Sequence, residues 1–220
     1  MNIKNNISIF TKEMLPGCKL IAVSKTKPNE MIMEAYEAGQ RRFGENRVQE
    51  LAAKYDALPK DIEWHMIGHL QSNKVKMMAP FVHLIHSVDT LGLLEEINKQ
   101  ALKVARVIPC LLQIYVAKEE TKFGFSEEEI LDAFKNKAFD KFNNVEIKGL
   151  MGMATFTENK DQVRSEFKSL RALFEKLKSS SLPGNASMTE LSMGMSGDYK
   201  IAMEEGSTMV RLGSSIFGGR

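Results

Sequence analysis

The sequence predicts a single domain of the α/β class, a (β/α)₈ TIM barrel, and three observations predict it. Short β-rich runs alternate with amphipathic segments along the whole chain, the pattern of a parallel sheet covered by helices. The length of 220 residues suits one α/β barrel. No repeat with a period of about 20–50 residues, no low-complexity block and no long linker marks off a second domain.

The β-rich runs fall at residues 18–24, 41–44, 62–68, 82–88, 107–116, 145–153, 188–194 and 208–213, which makes eight. Helical patterns lie between them. In PNEMIMEAYEAG, Pro28 suits a first helical position and Gly39 a C-terminal cap. The clearest helix runs over residues 158–178, with Val163, Phe167, Leu170, Phe174 and Leu177 on one face. SSSLPGN after it is a loop. An open doubly wound sheet shares this alternation, and strand count alone does not separate it from a closed barrel. In both, ligands bind at the carboxyl ends of the strands.

Composition narrows the function classes. Hydrophobic residues make up 43% and charged residues 26%, the balance of a soluble globular protein, and no run is apolar for the length of a membrane span. The formal net charge is +2 with lysines interspersed among glutamates, so no nucleic-acid surface is predicted. The amino terminus lacks the basic segment, apolar block and cleavage site of an export signal. Cys18 and Cys110 each sit in a strand-like run, which reads as two packed thiols in a reducing compartment. The expected location is the cytoplasm.

The last two strands carry the clearest site signal. Gly213, Ser214 and Ser215 follow the eighth strand where many barrels hold a phosphate, with backbone N–H groups free to face an anion. After the seventh, Ser196 is placed either to cap the next helix or to donate its hydroxyl to the same phosphate. Lys25 ends the first strand, where a desolvated amine can attack an aldehyde and form a Schiff base. Lys27 is placed as well, and spacing does not choose between them. Arg211 shares its side of the strand with Met209 and Gly213 while Val210 and Leu212 take the other, so it points into the barrel. An internal salt bridge and a ligand contact are equally open to it.

The histidines do not form a zinc motif. His65 and His69 stand four apart, but Met66 replaces the glutamate of the protease pattern and the run is β-like. His83 and His86 fall on opposite faces of a strand, and structural roles are expected for all of them. Met151, Met153, Met193 and Met195 cluster at the ends of the sixth and seventh strands as core fillers or pocket lining. Neither cysteine has the fixed basic neighbour of an activated nucleophile.

Six ordered blocks make the chain recognisable: residues 20–28 (LIAVSKTKP), 43–50 (FGENRVQE), 64–74 (WHMIGHLQSNK), 149–154 (GLMGMA), 191–196 (LSMGMS) and 206–218 (GSTMVRLGSSIFG). Over essentially its full length the sequence resembles the pyridoxal phosphate homeostasis proteins, the YggS/PROSC family. The resemblance implies a barrel like that of alanine racemase, with pyridoxal 5′-phosphate linked as a Schiff base to Lys25 in preference to Lys27. By the same carry-over Arg211 faces the pyridine nitrogen, Ser196, Gly213 and Ser214 hold the phosphate, and Asn46 lies beside the cofactor.

Family members resemble vitamin B6 carriers or regulators more than enzymes, so the expectation is a protein that buffers the cofactor. Apo forms of cofactor-dependent enzymes would be its transient clients. No catalytic residue, metal or membrane is expected, and a monomer is. The chemistry agrees, since an arginine at the pyridine nitrogen disfavours the protonated ring that carbanion chemistry needs. The barrel pattern runs to the last residues, so the second domain that completes the racemase site is not expected. The competing readings are a small fold-type III enzyme such as an amino-acid racemase and, more remotely, a barrel enzyme acting on a free sugar phosphate.

Overall fold

The computed structural model describes residues 2–116 and 123–219. Its elements run α1 (Ile3–Glu13), β1 (Lys19–Val23), α2 (Asn29–Glu37), β2 (Arg42–Glu45), α3 (Val48–Ala57), β3 (Glu63–Met66), α4 (Val75–Met78), β4 (Leu84–Val88), α5 (Leu91–Lys103), β5 (Ile108–Gln113), α6 (Glu127–Lys135), β6 (Val145–Met151), α7 (Lys160–Lys178), β7 (Ala186–Met195), α8 (Tyr199–Glu204), β8 (Met209–Leu212) and α9 (Ser214–Phe217). Each strand pairs in parallel with its sequence neighbours, and β8 pairs back onto β1 through Leu20 opposite Val210 and Ile21 opposite Arg211. That closure excludes the open sheet. All eight predicted strands are present, and no described helix is long and apolar enough to cross a membrane.

The two-residue alternation of each strand divides the core into two layers. Ile21, Leu84, Leu111, Met151 and Met209 pack together inside the barrel, while Leu20, Ala22, Val210 and Leu212 join the larger layer under the helices. The period that sends Met209 inward also sends Arg211 inward. At β6, Gly149 adopts φ 152°, and a Cβ there would lie 1.8 Å from the Glu190 carbonyl oxygen on β7, so the approach of these strands requires glycine.

Helix limits follow capping chemistry. α7 starts behind Asn159, whose side chain accepts from the N–H groups of Asp161 and Gln162, and it buries Val163, Phe167, Leu170, Phe174 and Leu177 as its spacing predicts. α6 opens with a reciprocal capping box between Ser126 and Glu129. At α2 the structure corrects one expectation: Pro28, in extended conformation, is the cap and Asn29 the first helical residue, because φ −70° and ψ 161° fit the residue before a helix.

Candidate functional site

The carboxyl ends of the strands enclose a cavity of about 530 Å³, and its lining includes all six residues singled out in the sequence: Lys25, Asn46, Ser196, Arg211, Gly213 and Ser214. Arg211 comes from β8 itself and the others from the four βα junctions after β1, β2, β7 and β8. A larger depression of about 930 Å³ lies outside the barrel near α1 and α2. Its lysine, Lys4, is paired with Glu37 at 2.9 Å, and Glu34 accepts from the Ile3 N–H at 3.2 Å.

Both lysines of the first junction line the cavity, in different states. Lys27 donates its ammonium to the carbonyl oxygens of Gly218 at 3.1 Å and Gly219 at 2.9 Å, tying the junction to the chain beyond β8. Lys25 makes no hydrogen bond or ion pair among the described residues.

Asn46 is seated by a close approach. A Cβ on Gly68 would lie 2.5 Å from the Asn46 carbonyl oxygen, so only glycine lets the segment after β3 pack there. Ser196 accepts from the Gly213 N–H at 3.4 Å, which joins the β7 and β8 junctions. It does not cap α8. Asp198 is the capping position, and its carboxylate accepts from the Met195 N–H at 2.5 Å. Ser214 and Ser215 form the first turn of α9, whose N–H groups have no intrahelical acceptor.

Arg211 is buried at 4% exposure and has no ion-pair partner among the described residues. The internal salt bridge is therefore not found. Its guanidinium donates instead to Ser192 Oγ at 2.6 Å and to the Gly152 carbonyl at 3.1 Å. Burial lowers its pKa to about 10, with Asp198 opposing, so it stays charged at neutral pH.

Behind Arg211 a polar chain crosses the core. Ser192 Oγ lies 2.9 Å from His86 Nδ1, and His86 Nε2 lies 2.8 Å from His65 Nδ1. Burial holds both imidazoles well below their ordinary pKa, so both are neutral. The far end, His65 Nε2, is buried with no hydrogen-bond partner among the described residues and sits near His83 and Glu63. The donor atoms of Glu63, His65 and His83 lie within 4.8 Å of one another, a cross-strand cluster that reading along the chain did not reveal. Arg42 Nε already stands 2.9 Å from Glu63 Oε2, and the charges of Arg42 and Lys19 act against further cation there.

The rim has an anchor the sequence did not flag. Buried Glu166 of α7 accepts from the backbone N–H of Thr155 at 2.7 Å and from its hydroxyl at 2.8 Å, holding the segment that brings Met153 and Phe156 to the cavity. An uncommitted amine, a buried cation and a cluster of hydroxyl and N–H donors around an apolar-rimmed cavity suit an aromatic aldehyde that carries a phosphate. Asp198 is the only carboxylate in the lining among the described residues, and burial raises its pKa.

The comparisons with known proteins point the same way. Residues 1–220 match the family described as alanine racemase, N-terminal domain. The chain is 44% identical to the pyridoxal phosphate homeostasis protein of Aquifex aeolicus, over 92% of this chain and 87% of that one. It is 41% identical to the human protein of the same name, over 92% and 76%. Among solved structures, PipY of Synechococcus elongatus with PLP bound is 34% identical, with a TM-score of 0.87 over 98% of this chain and 100% of that one. An alanine racemase from Bartonella henselae shares the fold at 19% identity and a TM-score of 0.72, over 99% of this chain and 58% of that one.

Proposed function

This chain belongs to the family of pyridoxal phosphate homeostasis proteins, and from that premise we propose that it binds pyridoxal 5′-phosphate on Lys25 and carries or buffers the cofactor in the cell. The observation that carries the reading is the difference between the two lysines of the cavity: Lys27 is held by two backbone carbonyls, and Lys25 has no hydrogen bond or ion pair among the described residues. PLP bound to PipY supports the choice of cofactor.

Lys25 would hold the cofactor through its amine, and the cofactor when bound would supply an aldehyde carbon to that nitrogen. The protein's own residues do the rest. Ser196 Oγ and the N–H groups of Gly213 and Ser214 bind the phosphate, aided by the first turn of α9. Arg211, held in direction by Ser192 and Gly152, would present its charge to the pyridine nitrogen, where it would disfavour protonation. Asn46, Met153 and Met195 line the same cavity and would flank the ring.

Such a site holds the cofactor and does little with it. The groups that could move a proton at a substrate carbon are few, since Asp198 is engaged with the Met195 N–H and Lys27 with carbonyls. Apo-enzymes that need the cofactor are the expected recipients. The test incubates the loaded protein with an apo-aminotransferase and, in parallel, with amino acids of either hand in heavy water. Transfer without α-proton exchange is expected. Exchange at a turnover of about 1 s⁻¹ or faster, an ordinary enzymatic rate, would replace this reading with that of a racemase.

A further inference from the structure

We propose that Glu50 and Lys54 are positioning residues for Lys25: one partly buried ion pair grips both peptide groups that flank it and so fixes how its side chain enters the cavity. The inference rests on Lys25 being the amine that holds the cofactor.

The turn after β1 is unusual. Thr26, the residue following Lys25, has φ 64°. A β-branched side chain rarely adopts the left-handed region unless its surroundings enforce it. The enforcing contact is short, a donation from the Thr26 N–H to Glu50 Oε1 at 2.6 Å. The same oxygen accepts from Lys54 Nζ at 2.6 Å.

Lys54 completes the grip from the other side. Its ammonium, at 5% residue exposure, donates to the Ser24 carbonyl at 2.7 Å and to Glu45 Oε1 at 2.8 Å, so all three of its N–H bonds are used. The Ser24 hydroxyl donates to that Glu45 oxygen as well, at 2.6 Å. The Ser24 carbonyl belongs to the peptide before Lys25 and the Thr26 N–H to the peptide after it. Fixing both planes fixes the φ and ψ of Lys25, and with them the direction of its Cα–Cβ bond.

Placement on α3 argues against a purely helical role. Glu50 is the third residue of α3, where a glutamate commonly reaches back to cap its own helix, yet here it reaches to another element. Lys54, one turn later on the same face, is buried where an apolar side chain would serve packing as well.

The test compares wild type, Glu50→Ala and Glu50→Gln as full chains, with two readouts. One is the rate at which pyridoxal 5′-phosphate forms a borohydride-trapped adduct on Lys25, located by peptide mass mapping. The other is affinity for pyridoxine 5′-phosphate, which has the ring and phosphate but no aldehyde. Glu50→Ala is expected to slow the adduct by about tenfold or more, since small misplacements of reacting groups cost such factors, with pyridoxine 5′-phosphate affinity changed by less than about threefold. Glu50→Gln keeps a carbonyl acceptor for the Thr26 N–H and should recover most of the rate. Thr26→Pro removes that N–H and forbids positive φ without substituting either residue of the ion pair, so it serves if Glu50→Ala does not fold, and the same slowing is expected. A variant rate within about twofold of wild type, or a loss matched by equal loss of pyridoxine 5′-phosphate affinity, overturns the positioning role alone. A wild-type adduct on another lysine overturns the Lys25 assignment and this proposal with it.

Discussion

Arg211 and His86 both hydrogen-bond the hydroxyl of Ser192, Arg211 Nη1 at 2.6 Å and His86 Nδ1 at 2.9 Å. Because the guanidinium can only donate, Ser192 accepts from it and is free to give its own proton to the neutral imidazole. The orientation of a charge in the cavity is thereby set by β7 and β4 inside the barrel. Ser192→Ala should lower stability by about 1–3 kcal/mol, the cost of leaving buried polar groups without a partner, as read by urea denaturation. It should also shift the visible absorption of the bound cofactor. A folded, loaded variant with unchanged stability and spectrum would disconnect this chain from the ring.

The neutral histidines predict an acid limb in stability. His65 and His86 have folded pKa values below the unfolded value, so as pH falls through about 6.5 the unfolded chain takes up protons that the native state refuses. Stability is therefore complete above that pH and is lost below it, by up to about 1.4 kcal/mol per pH unit for each histidine. Urea midpoints measured from pH 7.5 to 5 should fall, and His86→Asn should flatten the slope. A slope identical in that variant would assign the acid limb to other groups.

Lys54 should matter for stability as well as for geometry. Burial raises the pKa of Glu45, while Lys54 and Ser24 oppose that rise. Lys54→Met leaves buried Glu45 and half-buried Glu50 without their cation and should cost about 3–5 kcal/mol near neutral pH. Protonation relieves an unpaired carboxylate, so the deficit relative to wild type should shrink as pH falls toward 5. A deficit independent of pH would argue for lost packing instead.

The two thiols should be inert in the native state. Burial pushes the Cys18 thiol up to about 11 and raises Cys110 further, and both are free. A thiol-reactive disulfide reagent at pH 7.5 should label Cys110 only at the rate of unfolding, and Cys18 more slowly than a free cysteine peptide. Rapid labelling of both without denaturant would contradict their packing.

Much of this was legible along the chain, because period decides which way a strand residue points. The alternation in TMVRLG placed Arg211 inside the barrel, and the glycine and hydroxyl residues after the last two strands marked the cavity. What the chain did not show depends on register between distant strands. His65, His86 and Ser192 meet across β3, β4 and β7, with 106 positions between the last two. Glu50 and Lys54 read as an ordinary helical pair four residues apart, and only the seating of α3 against the β1 junction gives them Ser24 and Thr26. The sequence left Ser196 open between a cap and a phosphate contact, and the chain did not show that Asp198, two residues on, occupies the capping position of α8.

The most direct test of the account maps the covalent adduct. The protein is loaded with pyridoxal 5′-phosphate, reduced with borohydride, digested and analysed by mass spectrometry, beside Lys25→Ala treated in the same way. The account predicts one modified lysine, Lys25, and no adduct in a Lys25→Ala protein that remains folded, since loss of one unpaired lysine side chain costs little stability. Modification at Lys27 in the wild type, or an undiminished adduct in Lys25→Ala, would contradict it.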